Sequence, residues 1–197
     1  FSEPELVKAA IDQFNQLPFY HSFAGKTVGP AIDLAEHLIS IAPPAADGSS
    51  FGKAFFCSSG SEANDTAMKM VWYYQAARGK PEKRKIISRR RGYHGVTMAA
   101  ASITALAYAQ NGFGLPLDFV KHTTTPDYYN EGRDSESEAE FTTRCAAELE
   151  ALIIEEGPET IGALFAEPVM GAGGVIIPPA GYFAAIREVL ERYDVLL

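Results

Sequence analysis

The chain has 197 residues, of which 47% are hydrophobic and 21% charged, with a net charge of −8. That is enough for one sizeable core, and the acidic balance argues against general nucleic-acid binding, which needs a basic face. No apolar run reaches membrane-spanning length, and the two cysteines and four histidines show neither a disulfide framework nor metal-ligand spacing.

In chain order, Glu3 to Leu17 has helical spacing, with Leu6, Ala10 and Phe14 on one face. The aromatic stretch Leu17 to Phe23 is irregular. Pro30 to Ile41 is amphipathic and is stopped by Ala42-Pro43-Pro44. Asp47 to Ser50 reads as a turn, and Lys53 to Cys57 as a short buried strand. A helix follows from Ser61 to Arg78, with Ala63, Ala67, Met70, Val71 and Tyr74 inward. Lys85 to Ser88 is a strand, Gly92 to Gly95 a turn, and the alanine-rich Val96 to Leu106 a helix. Phe119 to His122 is another strand. Glu131 to Glu140 is acidic and solvated, leading into a helix over Glu138 to Glu156. Ile161 to Ala166 is a strand, Pro179 to Arg192 contains a helix, and Val195 opens a further strand. Strands alternating with helices predict an α/β fold with a mainly parallel sheet. In such folds ligands gather at the carboxyl ends of the strands.

Polar elements follow several strands directly. Ser58-Ser59-Gly60-Ser61 sits at an expected strand-to-helix junction. It could cradle a phosphate with backbone N–H groups at the positive end of the helix, or simply cap that helix through Ser59 or Ser61. It lacks both the P-loop and the Rossmann glycine pattern. In Gly92-Tyr93-His94-Gly95 the tyrosine could offer its face to a planar ring, or merely pack. Glu167 ends an apolar strand, so it needs a partner: a ligand ring, or local backbone N–H groups. The aromatics of Leu17 to Phe23 could wall a pocket or pack a terminal segment.

Together, Phe55-Phe56-Cys57-Ser58-Ser59-Gly60-Ser61-Glu62-Ala63-Asn64-Asp65-Thr66-Ala67, Gly92-Tyr93-His94-Gly95 and Ala166-Glu167-Pro168-Val169 resemble the class III, fold-type I aminotransferases. Leu17-Pro18-Phe19-Tyr20-His21-Ser22-Phe23 looks like the ω-amino acid:pyruvate branch. The resemblance implies a three-layer α/β/α large domain over 31–197, preceded by an N-terminal segment over 1–30. It implies pyridoxal 5'-phosphate as cofactor, its phosphate held by Ser59, Gly60 and Ser61. Tyr93 would stack on the ring, His94 and Gly95 would shape the turn, and Glu167 would sit near the ring's phenolic oxygen. Phe19 and Tyr20 would line the substrate pocket. No metal is implied.

The implied reaction moves an amino group from an amine or ω-amino acid donor to a keto acid such as pyruvate. The implied assembly is a homodimer with the site at the interface, free of nucleic acid and membrane. Free cysteines fit a reducing compartment, the cytoplasm. The family's imine-forming lysine and the aspartate partner of its pyridine nitrogen belong downstream of Val195, so the chain reads as a fragment that is inactive alone. Rival readings are an ornithine- or diamine-type aminotransferase, an aminomutase, or a non-catalytic phosphate- or nucleotide-binding domain.

Overall fold

Lys85-Ile86-Ile87-Ser88-Arg89 organises the larger part of the fold. In the computed structural model, which describes residues 2–45 and 48–197, this strand (β1, Lys85–Arg89) pairs in parallel on both sides. Its neighbours are β2 (Val120–Thr123) and β3 (Ile161–Leu164), in the order β2-β1-β3. Ile86 lies opposite Val120 on one side and Ala163 on the other. Leu196 extends the sheet past β3 by a parallel bridge to Ala163, which is how the strand expected at Val195 begins.

Successive side chains of a strand point to opposite faces, and here both faces are covered. Ile87 packs with Phe141, Leu149 and Ile153 of α7 (Glu138–Glu156) and with Ile186 and Leu190 of α8 (Tyr182–Arg192). Ile86 packs with Met68 of α3 (Gly60–Ala77) and Ile103 of α4 (Met98–Ile103). Each fully buried isoleucine contributes roughly 1.5–3 kcal/mol. The result is the expected three-layer α/β/α arrangement. Helix α7 starts at Ser137, whose side chain and Glu140 form a reciprocal capping box.

The chain divides into two compact units, one ending at Phe56 and the other running from Cys57 to Leu197. The first holds α1 (Pro4–Gln16) and α2 (Gly29–Ile41), neither of which buries a residue. Leu6 and Phe14 therefore stay exposed on α1. Asp47, expected in a turn, lies outside the described residues.

Several expectations are corrected. Lys53 to Cys57 is not a strand: no described segment pairs with it, Phe55 is 74% exposed, and Cys57 is only half-buried. The inward face of α3 is not the apolar stripe. Met68 and Gln75 are buried, Asn64 and Val71 are partly so, and Ala63, Met70 and Tyr74 face out. The buried stripe is partly polar because the Gln75 amide donates to the Gly162 carbonyl at 3.3 Å. The helix expected over Val96 to Leu106 shrinks to α4, and a single turn, α5 (Ala107–Gln110), follows. In the acidic stretch Glu136 is not solvated: it pairs with Arg144 at 2.8 Å, which holds its carboxyl at about 2.

Candidate active site

The start of α3 is capped by its own sequence. Ser59 is its N-cap in extended conformation, and its Oγ accepts the Glu62 N–H at 3.1 Å. Glu62 reaches back to accept the Ser58 N–H at 2.8 Å. The capping alternative is therefore realised. Among the described residues, it leaves the N–H groups of Gly60 and Ser61 without a protein acceptor at the positive end of an eighteen-residue helix. A Cβ added at Gly60 would meet nothing within 4 Å.

The turn after β1 is bound to that helix start. Ser61 Oγ accepts the Val96 N–H at 3.0 Å, and the Asn64 amide donates to the His94 carbonyl at 2.6 Å. Asp65 accepts the Thr97 hydroxyl at 2.8 Å and the Ala100 N–H at 3.0 Å. Gly95 has φ +133°, and a Cβ there would lie 2.5 Å from Ser61 Oγ, so only glycine allows this approach. Arg91 takes the left-handed conformation at φ 64°. Its guanidinium pairs with Asp127 at 2.6 Å and donates to the Gly173 carbonyl at 2.6 Å. Burial pushes His94 below the ordinary imidazole range, opposed by the charge of Glu167. The Tyr93 side chain is 38% exposed, leaving ring surface available.

Glu167 joins the turn from β3. One carboxylate oxygen accepts the Tyr93 N–H at 3.0 Å and the other accepts the Gly171 N–H at 2.9 Å. This is the backbone-binding alternative. Its carbonyl accepts from Arg89, which is 1% exposed and faces the rings of Tyr182 and Phe183 at 5.8 Å.

The structure thus joins Ser59, Gly60, Ser61, Tyr93, His94, Gly95 and Glu167 in one hydrogen-bonded assembly. Asn64, Arg89, Arg91 and Thr104 also build it. In the sequence the Arg89-Arg90-Arg91 run gives local positive charge or reads as a solvated strand end, Asn64 stands inside the first motif, and Thr104 gives no signal. Phe19 and Tyr20 belong to the first unit, 80% and 48% exposed, beside a cavity of about 560 Å³ that also takes in Gln13 and Val28. In the second unit a cavity of about 890 Å³ adjoins Arg91, Asp127 and Arg133. An apolar one of about 270 Å³ lies against Tyr93. Among the described residues, no helix is long and apolar enough to cross a membrane, and no group of metal-binding side chains converges.

A family model described as Aminotransferase class-III matches residues 1–197. The chain belongs to the class-III aminotransferase family. Relatives include a probable gamma-aminobutyrate transaminase 2, mitochondrial, of Oryza sativa subsp. indica, 54% identical over 195 residues, which are 99% of this chain and 38% of that protein. Gamma aminobutyrate transaminase 1, mitochondrial, of Solanum lycopersicum is 52% identical, over 99% of this chain and 37% of its own length. The omega transaminase from Pseudomonas jessenii in complex with PMP superposes at a TM-score of 0.94 with 52% identity, over all of this chain and 42% of that one. A transaminase solved with L-ala gives 0.94 and 54%, over all of this chain and 45% of that one. The class-III chain here therefore spans about two fifths of the length of the curated relatives it matches, and its α/β fold is that of fold-type I transaminases.

Proposed function

We propose that this class-III chain is the cofactor-binding part of a pyridoxal-phosphate-dependent transaminase that takes an ω-amino acid or amine as donor and a keto acid such as pyruvate as acceptor. One observation carries the cofactor reading. Among the described residues, the Gly60 and Ser61 N–H groups have no acceptor at the start of α3, beneath open space at Gly60, and this helix start is hydrogen-bonded to the turn carrying a part-exposed Tyr93. A phosphate needs such donors at a helix N-terminus, and a pyridine ring needs such a face. The residues present fit the group.

When bound, pyridoxal phosphate supplies the electron-accepting ring that transamination needs. The protein's own contribution is placement. Gly60 and Ser61 donate to the phosphate, and Ser59 keeps the first helical turn in register. Tyr93 lies against the ring. Glu167 holds the Tyr93 backbone, and the same carboxylate brings negative charge to the edge of the site. In this reading none of the described lysines takes the role of the family's imine-forming lysine, and the 197-residue piece alone is inactive.

The donor class rests on the gamma-aminobutyrate and omega transaminases that the chain resembles. Phe19 and Tyr20 as pocket residues, a homodimer with the site at its interface, and a cytoplasmic location are parts of the same proposal. The location rests on the free thiols of Cys57 and Cys145. The test uses the full-length protein. Incubation with pyridoxal phosphate should give an absorbance band near the visible edge that an amine donor removes, and Tyr93→Ala should bind the cofactor several-fold more weakly. A protein that stays colourless refutes the cofactor reading. Wild-type affinity and turnover in Tyr93→Ala return that ring to packing.

A further inference from the structure

The fully buried Thr104 ends α4 and turns its hydroxyl toward the Tyr93 turn. Its Oγ accepts the His94 N–H at 2.8 Å and the Gly95 N–H at 3.2 Å, and it donates to the Gly95 carbonyl at 3.1 Å. A hydroxyl has one donor and two acceptor lone pairs, and here all are used. Among small side chains, only a hydroxyl answers two N–H groups and a carbonyl from a single atom. The neighbouring backbone adds a second clamp: Arg91 N–H donates to the Ala105 carbonyl at 3.0 Å, and Ala105 N–H to the Gly92 carbonyl at 2.9 Å. The turn is thus fastened on both sides of Tyr93, at Gly92 by main chain and at His94–Gly95 by one oxygen.

We propose that Thr104 is a positioning residue that sets the stacking face of Tyr93 through the His94–Gly95 backbone. This rests on the pyridoxal-phosphate reading of the site. Without the hydroxyl, two N–H groups and a carbonyl lose their partner in a space that excludes water. The turn must then move outward to reach solvent, and it carries the Tyr93 ring with it. The phosphate donors at Gly60 and Ser61 belong to α3 and stay where Ser59 holds them. Ring binding and phosphate binding should therefore respond differently.

The experiment titrates the apo form of the full-length protein with pyridoxal 5'-phosphate and, separately, with inorganic phosphate, for wild type, Thr104→Val and Thr104→Ser. Valine keeps the shape and removes the hydroxyl; serine keeps the hydroxyl. Expected are ~10-fold weaker pyridoxal-phosphate binding in Thr104→Val, from the loss of hydrogen bonds worth about a factor of ten together, unchanged phosphate binding, and near wild-type values in Thr104→Ser. Equal pyridoxal-phosphate affinity in Thr104→Val overturns the proposal, and so does an equal loss for both ligands. Amide hydrogen exchange on the wild-type apoprotein keeps the test open should Thr104→Val not fold. The His94 and Gly95 amides should be protected, and exchange at unstructured rates overturns the proposal. If wild type binds no pyridoxal phosphate while those amides are protected, the cofactor reading fails and the Thr104 clamp survives as a structural feature.

Discussion

Gly95→Ala should be the most damaging one-methyl change in the site. The added Cβ would sit 2.5 Å from Ser61 Oγ, 2.9 Å from Ser61 Cα and 2.9 Å from Ala100 Cβ, where carbon contacts prefer ~3.5–4.0 Å. Ser61 Oγ cannot simply rotate away, because it accepts the Val96 N–H. The other two obstacles belong to α3 and α4, so the overlap is relieved only by separating the turn from the helix. Overpacking of this kind costs ~1–3 kcal/mol. The backbone at φ +133° adds ~1–3 kcal/mol for a residue with a side chain. A total of ~2–6 kcal/mol follows, a large share of a domain's net stability. Gly60→Ala is the matched control. It meets no neighbour and replaces glycine in a helix, so apo stability should hold or rise by ~0.5 kcal/mol, yet its methyl fills the approach to the free N–H groups. Urea unfolding of the apo full-length protein, with pyridoxal-phosphate titration alongside, separates the two. Gly95→Ala should lose stability and affinity, Gly60→Ala affinity alone. Wild-type stability in Gly95→Ala would refute the close approach of turn and helix, and unchanged affinity in Gly60→Ala would remove the phosphate from the start of α3.

Ser61→Ala removes the acceptor for the Val96 N–H and should weaken retention of pyridoxal phosphate several-fold; unchanged affinity in equilibrium dialysis would take Ser61 out of the site. Lys83 is buried, and its ammonium donates to the carbonyls of Pro158, Ile161, Tyr193 and Asp194 at 2.9–3.2 Å. Lys83→Met should cost ~2–4 kcal/mol by leaving those acceptors unpaired, and an unchanged urea midpoint would contradict that. Burial also holds His122 below its ordinary value of 6.5, against the Ser102 carbonyl that favours its charged form. The unfolded chain then takes up the proton first as pH falls. Stability is full above pH 6.5 and declines below it, toward the folded-state value, by at most about 1.4 kcal/mol per pH unit for each such histidine. His122→Gln should flatten that decline between pH 7 and 5.5, and an identical decline in the variant would refute it.

The parallel sheet, the helix over Glu138 to Glu156 and the clustering of the Ser59, Tyr93 and Glu167 motifs were legible because each rests on local pattern. The alternation of Ile86 and Ile87 between two cores is one such pattern, and the Ser137 capping box is another. What was misread depends on partners far along the chain. The apolar run Lys53 to Cys57 has the composition of a strand but no neighbour to pair with among the described residues. On α3 the apolar stripe pointed to Met70 and Tyr74, while the buried stripe carries Asn64 and Gln75. Their amides are satisfied by carbonyls 30 and 87 residues away, and no periodicity of hydrophobicity reports that. Thr104 was read as the interior of a helix because its hydroxyl's partners lie in the preceding turn, which a helical pattern does not record.

In the proposed cofactor reading, the cap and the phosphate cradle, which the sequence leaves as alternatives for Ser58 to Ser61, are parts of one device. A helix starts with more N–H groups than its own carbonyls can serve. Ser59 takes the third of them, at Glu62, and Glu62 steadies the chain just before the helix through Ser58. The first two, at Gly60 and Ser61, find no acceptor among the described residues, because the cap fixes the geometry that exposes them. Removing the Ser59 hydroxyl should therefore fray the helix start and scatter the donors together, so that Ser59→Ala weakens inorganic phosphate and apo stability in parallel. Gly60→Ala should dissociate the two effects. A protein in which both variants behave alike would have a helix cap here and no phosphate site.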